Sequence, residues 1–407
     1  MQHYAAFLGH QPHISTAELA AVVPGFSLEK VLDKKIALFS ATEPLKPSVL
    51  NALGGTVVLA EQIGGSELSL ADLPKVLLNE ITKKRGKVTF GLRTVGVSPK
   101  VVRQLYRKCK DALKKDGRAS RYVGSDRKPA ATVLLHDAGL LDGSQGCELT
   151  VIMGEDLFWV GKTIAAQDID SYTKRDMEKP VRDTTVGLLP PKLAQILLNF
   201  GLWLATENGC KSAIKKTPVI MVFDPFCGTG VIPMEALLRG WPVLASDKAQ
   251  KAIGGTTTNL DWIRKEEKIL KKEVPSVVWK HDALKPFVLK ELPDVVVTET
   301  SLGTPMKVKP TLKDAMKEKA ENEALQEGFL RNAAETLPGV PLVCTWPVWR
   351  TKTKAVFLEK IWKVIEELPY DIVLPVEPED GEKPTLFYRR PDHFVGREIV
   401  LLLPKQK

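Results

Sequence analysis

The 407-residue chain has no apolar run approaching the ~18 residues needed to span a bilayer. Its longest stretches, such as Val219-Ile220-Met221-Val222-Phe223, read as buried strands. No Lys or Arg precedes the short apolar patch after Met1-Gln2-His3-Tyr4, which argues against a secretory signal. Cysteine is scarce. The five present are an odd number without CxxC spacing, which argues against a disulfide framework or a structural zinc site and fits a reducing cytoplasm. The six histidines, at positions 3, 10, 13, 136, 281 and 393, lack Cys or carboxylate partners at ligand spacing, so no metal site is expected. Internal repeats and low-complexity tracts are also missing. What is present is ordinary globular composition, 44% hydrophobic and 26% charged, enough for two to three domains at roughly 100–200 residues each.

Charge is unevenly placed. The chain carries a net +9, yet residues 83–128 alone hold sixteen Lys and Arg against three Asp, so the remainder is slightly acidic. Within that window Lys100 to Lys115 reads as a helix. Val101, Val102, Leu105, Cys109, Ala112 and Leu113 recur at helical spacing toward a core, while Arg103, Arg107, Lys110 and Lys114 fall on the other face. Lys83, Lys84, Arg85 and Lys87 precede it, and Arg118 and Arg121 follow. A single basic helix face is usually just solvated. Flanking clusters of the same sign point instead to a surface that contacts nucleic-acid phosphates.

The chain divides into four stretches. Residues 1–65 and 66–165 read as two α+β subdomains that meet at the Gly64-Gly65-Ser66 turn. Residues 166–187 are polar and aperiodic, as in a linker packed on a surface. Residues 188–407 alternate strand and helix patterns, as expected of a βαβ domain. The most informative segment is Val219 to Ala236, which contains Asp224-Pro225-Phe226-Cys227-Gly228-Thr229-Gly230. An apolar strand runs into a glycine turn and then an amphipathic helix. Gly228 and Gly230 let the backbone approach a ligand, the helix start offers free N–H groups to an anion, and Asp224 can accept from an ammonium. The segment is neither GxGxxG nor a P-loop. Cys227 reads as packing, because no cationic partner is at hand to activate it.

This segment resembles motif I of the class I S-adenosylmethionine-dependent methyltransferases, in the DPFCGTG form of enzymes that methylate RNA and DNA amines. The resemblance implies S-adenosyl-L-methionine as cofactor and assigns further residues. Val243-Leu244-Ala245-Ser246-Asp247 reads as a second strand whose acid suits ribose hydroxyls. Val277 to Asp282 reads as a third, with Asp282 placed for the adenine amine and Ala283 beside it. Asn259-Leu260 is taken to close the intervening helix. Phe226 and Thr229 join the cofactor set by their place in motif I. The helix opening at Pro190-Pro191 is similar to motif X, which covers the methionine end. The catalytic stretch departs from the family pattern. Enzymes of this type carry Asp/Asn-Pro-Pro-Tyr/Phe after the fourth strand, whereas here Asp294-Val295-Val296-Val297 leads into Thr298-Glu299-Thr300-Ser301-Leu302-Gly303-Thr304-Pro305. Glu299, Ser301 and Gly303 are the catalytic candidates. Glu299 would accept the amine hydrogens, Gly303 would admit the base, and no stacking aromatic is identified.

Residues 6–19 look like the opening of the archaeal and eukaryotic tRNA guanosine-10 N2-methyltransferases. The region from Phe90-Gly91-Leu92-Arg93 to Arg121-Tyr122-Val123 is similar to a THUMP domain, a tRNA-binding module. Residues 170–183 look like that family's linker, and Tyr388 to Val400 resembles its last strand pair. The resemblance implies an α/β protein, a Rossmann-like class I methyltransferase domain preceded by an α+β THUMP-containing region, that methylates a guanine N2 of tRNA. It leaves room for a small helper subunit and for any oligomeric state. Two alternatives remain open at this point: methylation of another RNA or DNA exocyclic amine, or a non-catalytic RNA-binding protein that retains the fold.

Overall fold

The computed structural model describes residues 1–81, 86–183, 188–215, 218–306, 308–377 and 384–405. They form two compact units, residues 1–12 with 23–171, and residues 13–22 with 172–407. No described helix is long and apolar enough to cross a membrane.

The first unit is α+β. Its strands are β1 (Gln2–Leu8), β2 (Ser27–Leu32), β3 (Ile36–Ala41), β4 (Thr56–Gly64), β5 (Val88–Val95), β6 (Ser120–Val123), β7 (Gly146–Gly154) and β8 (Leu157–Ala166). Among the described residues they form one sheet in the order β2-β3-β1-β4-β8-β7-β5-β6. The turn at 64–66 follows β4, and the sheet continues across it because β4 pairs antiparallel with β8. The helix Pro99–Lys115 buries Val102, Leu105, Cys109 and Leu113, whose spacing of three and four residues makes one apolar stripe. That stripe packs on Phe90, Leu92, Cys147, Leu149 and Val151 of the sheet, with Val101 and Ala112 only half-buried at its margin.

The second unit carries β9 (Val222–Asp224), β10 (Val243–Asp247), β11 (Ser276–Lys280), β12 (Val295–Glu299), β13 (Leu342–Arg350), β14 (Ala355–Val356), β15 (Tyr370–Ile372), β16 (Leu386–Tyr388) and β17 (Val395–Pro404). The main path runs β11-β10-β9-β12-β13-β17-β15, with β14 on β13 and β16 on β17. β9 to β13 are parallel neighbours, and β17 inserts antiparallel between β13 and β15. The strand expected at 219–223 is shorter than its apolar run, starting three residues later and ending one residue later. The amide of Met221 donates to the Asp294 carboxylate at 2.7 Å, so a side-chain clasp replaces the start of the ladder, and Val219 stays exposed.

Helix residues 13–22 belong to this second unit. Ile14 and Ala17 join its core, and the buried Glu18 accepts from Asn199 Nδ2 at 2.6 Å. Asn199 Oδ1 in turn accepts from Arg239. The stretch expected to be a surface linker is built more firmly than that. Residues Ile169–Thr173 and Lys174–Glu178 form helical turns. Arg175 is buried against Glu235 at 2.7 Å, with Gln195 donating to the other Glu235 oxygen at 3.0 Å. One basic head group of this polar segment, that of Arg175, is drawn inward by a buried acid. Asn259 also differs from expectation. Its helix runs from Gln250 to Glu267, so Asn259 lies inside it and is buried.

Candidate active site

The parallel strands of the second unit end at a cleft of about 1110 Å³. Parallel pairing points their carboxyl ends the same way, so acids far apart in sequence converge there. β9 ends in Asp224, β10 in Asp247 and β12 in Glu299, and Asp282 follows β11; all four line the cleft.

Asp224 is 2% exposed. It accepts from Thr298 Oγ1 at 2.6 Å and from the Phe226 amide at 3.2 Å. Burial pushes its carboxyl up to about 7 against the pull of those two hydrogen bonds, and the charges of Asp247 and Glu299 add to the rise. The turn that follows requires glycine at 230. Its φ is +82°, and a Cβ there would lie 2.9 Å from Thr256 Cγ2. Around the turn the backbone is bound from several sides. Thr256 Oγ1 donates to the Gly228 carbonyl at 2.8 Å, and Asn259 Nδ2 donates to the Thr229 carbonyl at 2.8 Å. Asn259 also holds both the N–H and the C=O of Val181, each at 2.9 Å. That buried amide therefore fastens the segment around Val181 to the glycine turn. Asp247 accepts from the amides of Gly228, at 3.2 Å, and Ala249, at 2.8 Å. Asp282 accepts from the Leu284 amide at 3.1 Å, and the Ala283 carbonyl accepts from Asn332 at 2.9 Å. Phe226, Thr229 and Ala283 line the cleft. Pro190 is buried at the start of the helix Pro191–Glu207, and Leu188 and Leu189 line the cleft in its place. Burial drives the Cys227 thiol far above its ordinary range, which suits a packing role.

Glu299 is held in a way the sequence did not reveal. Arg397 of β17, 2% exposed, donates its Nε to Glu299 Oε1, while its Nη2 donates to the Leu188 carbonyl at 3.4 Å. Among the described residues Glu299 Oε2 accepts from no donor, and the side chain is 15% exposed to the cleft. The loop after Glu299 is fastened to the helix Leu312–Thr336. Thr304 N–H donates to Glu318 Oε2 at 2.9 Å, and Gln326 Nε2 donates to Thr300 Oγ1 at 2.8 Å. Gly303 has φ +83°, and a Cβ there would collide with the Glu318 carboxylate. Its lack of a side chain thus lets the loop seat on the helix. Ser301 is exposed in the cleft and accepts from the Gly303 amide at 3.3 Å.

Numbered in chain order, β9, β10, β11, β12, β13, β15 and β17 make a sheet of order 3-2-1-4-5-7-6 with the seventh strand reversed. That is the class I methyltransferase order, and the glycine turn sits after its first strand. The second unit has the class I methyltransferase fold. No family model matches the chain, and no curated protein matches it in sequence. Among solved structures, the chain is similar to TrmN from Thermus thermophilus, with 15% identity over 99% of this chain and 100% of that one and a TM-score of 0.49. It is also similar to magnesium protoporphyrin IX methyltransferase from Synechocystis PCC 6803 with bound SAM, with 16% identity over 59% of this chain and 99% of that one and a TM-score of 0.32. A third is the N-methyltransferase NodS from Bradyrhizobium japonicum WM9 in complex with S-adenosyl-l-homocysteine, with 14% identity over 58% of this chain and 99% of that one and a TM-score of 0.33.

In the first unit the basic candidates separate into two groups. Lys87, Arg107, Lys110, Lys114 and Arg121 are exposed. Arg103 is instead paired with Asp126 through both Nε and Nη2. Arg118 pairs with Asp116 and donates to the Ile81 carbonyl at 2.8 Å, leaving its side chain 12% exposed. Arg118 is thus largely engaged within the fold, whereas the Arg103 side chain stays 54% exposed beside its partner. Lys83, Lys84 and Arg85 lie outside the described residues. Beside the exposed cations, Tyr106 stacks on Tyr122 at 4.6 Å, and Lys110 Nζ lies 5.8 Å from the Tyr106 ring centre.

Proposed function

We propose that the chain is an S-adenosylmethionine-dependent RNA methyltransferase acting on a guanine N2, with tRNA as the preferred substrate. The cleft fits this cofactor chemically. Asp224 is a buried acceptor for an ammonium, Asp247 a two-oxygen acceptor for a ribose diol, Asp282 an acceptor for an amino group, and the amides at the start of the helix Val231–Leu238 suit a carboxylate. When bound, S-adenosylmethionine supplies an electrophilic methyl group.

The observation that carries the choice of base is the Arg397–Glu299 pair in the same cleft. Arg397 is a permanent cation, and the carboxylate fixed against it offers only acceptors. Guanine presents two donors side by side, N1–H and the N2 amine. In adenine and cytosine the amine adjoins a ring-nitrogen lone pair, which a carboxylate repels. A site that leaves a buried acceptor facing a lone pair discriminates strongly. In this reading Glu299 orients the guanine edge and draws on the N2 hydrogens as the amine becomes cationic, while Arg397 holds Glu299 in place. The fastening of the loop to Glu318 and Gln326 stands in for the rigidity that paired prolines would supply. The exposed cations of the first unit, with the Tyr106–Tyr122 stack, support an RNA-gripping, THUMP-like role there.

The test is labelled methyl incorporation with tRNA, ribosomal RNA fragments and duplex DNA in competition. Preferential labelling of tRNA, lost when guanosine is replaced by inosine, which lacks the 2-amino group, is the expected result. Labelling of adenine or cytosine would move the target to another amine. Binding of RNA and cofactor without incorporation would make the chain a non-catalytic binder.

A further inference from the structure

We propose that Phe394 supplies the aromatic face on which the target base stacks, filling the place for which the 298–305 loop has no aromatic residue. The inference rests on the reading of the cleft as a base-methylating site and extends it to the residue that positions the base.

Two phenylalanines line the cleft, Phe226 and Phe394. Phe226 is engaged with the core, edge-on to Phe329 at 5.1 Å and 84°. Phe394 makes no ring contact with another aromatic among the described residues and is only half-buried. Its backbone is nonetheless fixed, because its carbonyl accepts from the Arg350 amide at 2.8 Å, where β17 begins to pair with β13. Arg397, which grips Glu299, lies three residues further on, within β17. Phe394 therefore immediately precedes the strand that carries the cation setting the acceptor, and both side chains line the same cleft. Leu302, in the part of the loop where the family pattern has its aromatic, also lines the cleft. It offers apolar surface without a π face. A base that donates its edge to Glu299 gains a stacking surface from Phe394 that no residue of the loop provides.

The experiment measures steady-state methyl transfer to unmodified tRNA for the wild-type chain, Phe394→Leu and Phe394→Trp, with calorimetric S-adenosylmethionine binding alongside. Leu keeps bulk and removes the π face, whereas Trp keeps the face. We expect Phe394→Leu to lower kcat/KM about 10- to 100-fold, with most of the loss in kcat, and Phe394→Trp to stay within about threefold. Both should bind the cofactor as the wild type does. An active wild type with an unimpaired Phe394→Leu variant overturns this inference alone. Equal impairment of the Leu and Trp variants, or loss of cofactor affinity in Phe394→Leu, makes the side chain a packing element and also overturns it. A wild-type chain that methylates no RNA overturns the parent reading and this one with it.

Discussion

Asp224→Asn separates what the site costs the fold from what it does for binding. The Asp224 carboxyl titrates at about 7, against an ordinary 3.8, because burial outweighs the two hydrogen bonds it accepts. A carboxyl whose folded pKa stands above its unfolded one holds its proton more tightly when folded. Its ionisation therefore costs nothing below about pH 4, increasingly destabilises the fold as pH rises, and reaches its full cost above about 7. At about 1.4 kcal/mol per pK unit, the full cost is about 4 kcal/mol. Asn can still accept from Thr298 and from the Phe226 amide through its carbonyl. Its new N–H groups, if unsatisfied, cost about 1–3 kcal/mol. The variant should thus be more stable than the wild type at pH 8 by about 1–3 kcal/mol, with a flatter pH dependence. Trp fluorescence in urea is the assay, because seven of the eight Trp lie in the second unit. The same variant should lose cofactor affinity, since a neutral amide does not compensate an ammonium. In the wild type, affinity should fall about tenfold per pH unit below about 7 as Asp224 takes up its proton. A variant whose stability tracks the wild type from pH 4.5 to 8 would refute the buried-ionisation argument. Unchanged cofactor affinity would remove Asp224 from the binding site.

Other perturbations read different parts of the structure. Arg175→Met strands the buried Glu235 without its cation and should destabilise the second unit by about 3–5 kcal/mol in urea titrations, far more than Arg331→Met at an exposed pair. Gly230→Ala places a Cβ against Thr256 at φ +82°. It should cost about 1–3 kcal/mol and weaken cofactor binding in calorimetry. Replacing Arg107, Lys110, Lys114 and Arg121 with Gln should weaken tRNA binding and flatten its salt dependence in filter-binding titrations, whereas Arg118→Gln should chiefly lower the stability of the first unit.

Local chemistry made much of this molecule legible from sequence. The 99–115 helix announces itself because Val102, Leu105, Cys109 and Leu113 alone place an apolar stripe on one face. The glycine turn is legible because Gly230 occupies a backbone conformation other residues avoid, and Asp224 and Asp247 end strands whose directions follow from parallel pairing. The missed features depend on contacts between distant residues. Arg397 reaches Glu299 across 98 residues, and Asn199 reaches Glu18 across 181. No local pattern marks either pair. The polar 166–187 stretch reads as a linker packed on a surface, because the acid that buries Arg175 sits 60 residues away. In a charge count Arg118 looks as free as its neighbours, since nothing in the local pattern shows that the Ile81 carbonyl has engaged it. The Asp294 clasp on Met221 likewise shortens a strand that apolar content alone extends.

In the proposed reading, the cleft that holds the Arg397–Glu299 pair methylates guanine N2. The most direct measurement is nucleoside mass spectrometry of unmodified tRNA after incubation with the protein and S-adenosylmethionine, in parallel with Glu299→Gln. The expected result is N2-methylguanosine from the wild type and its near loss in the variant, with cofactor binding retained. A different methylated nucleoside, or undiminished N2-methylguanosine from Glu299→Gln, would contradict it.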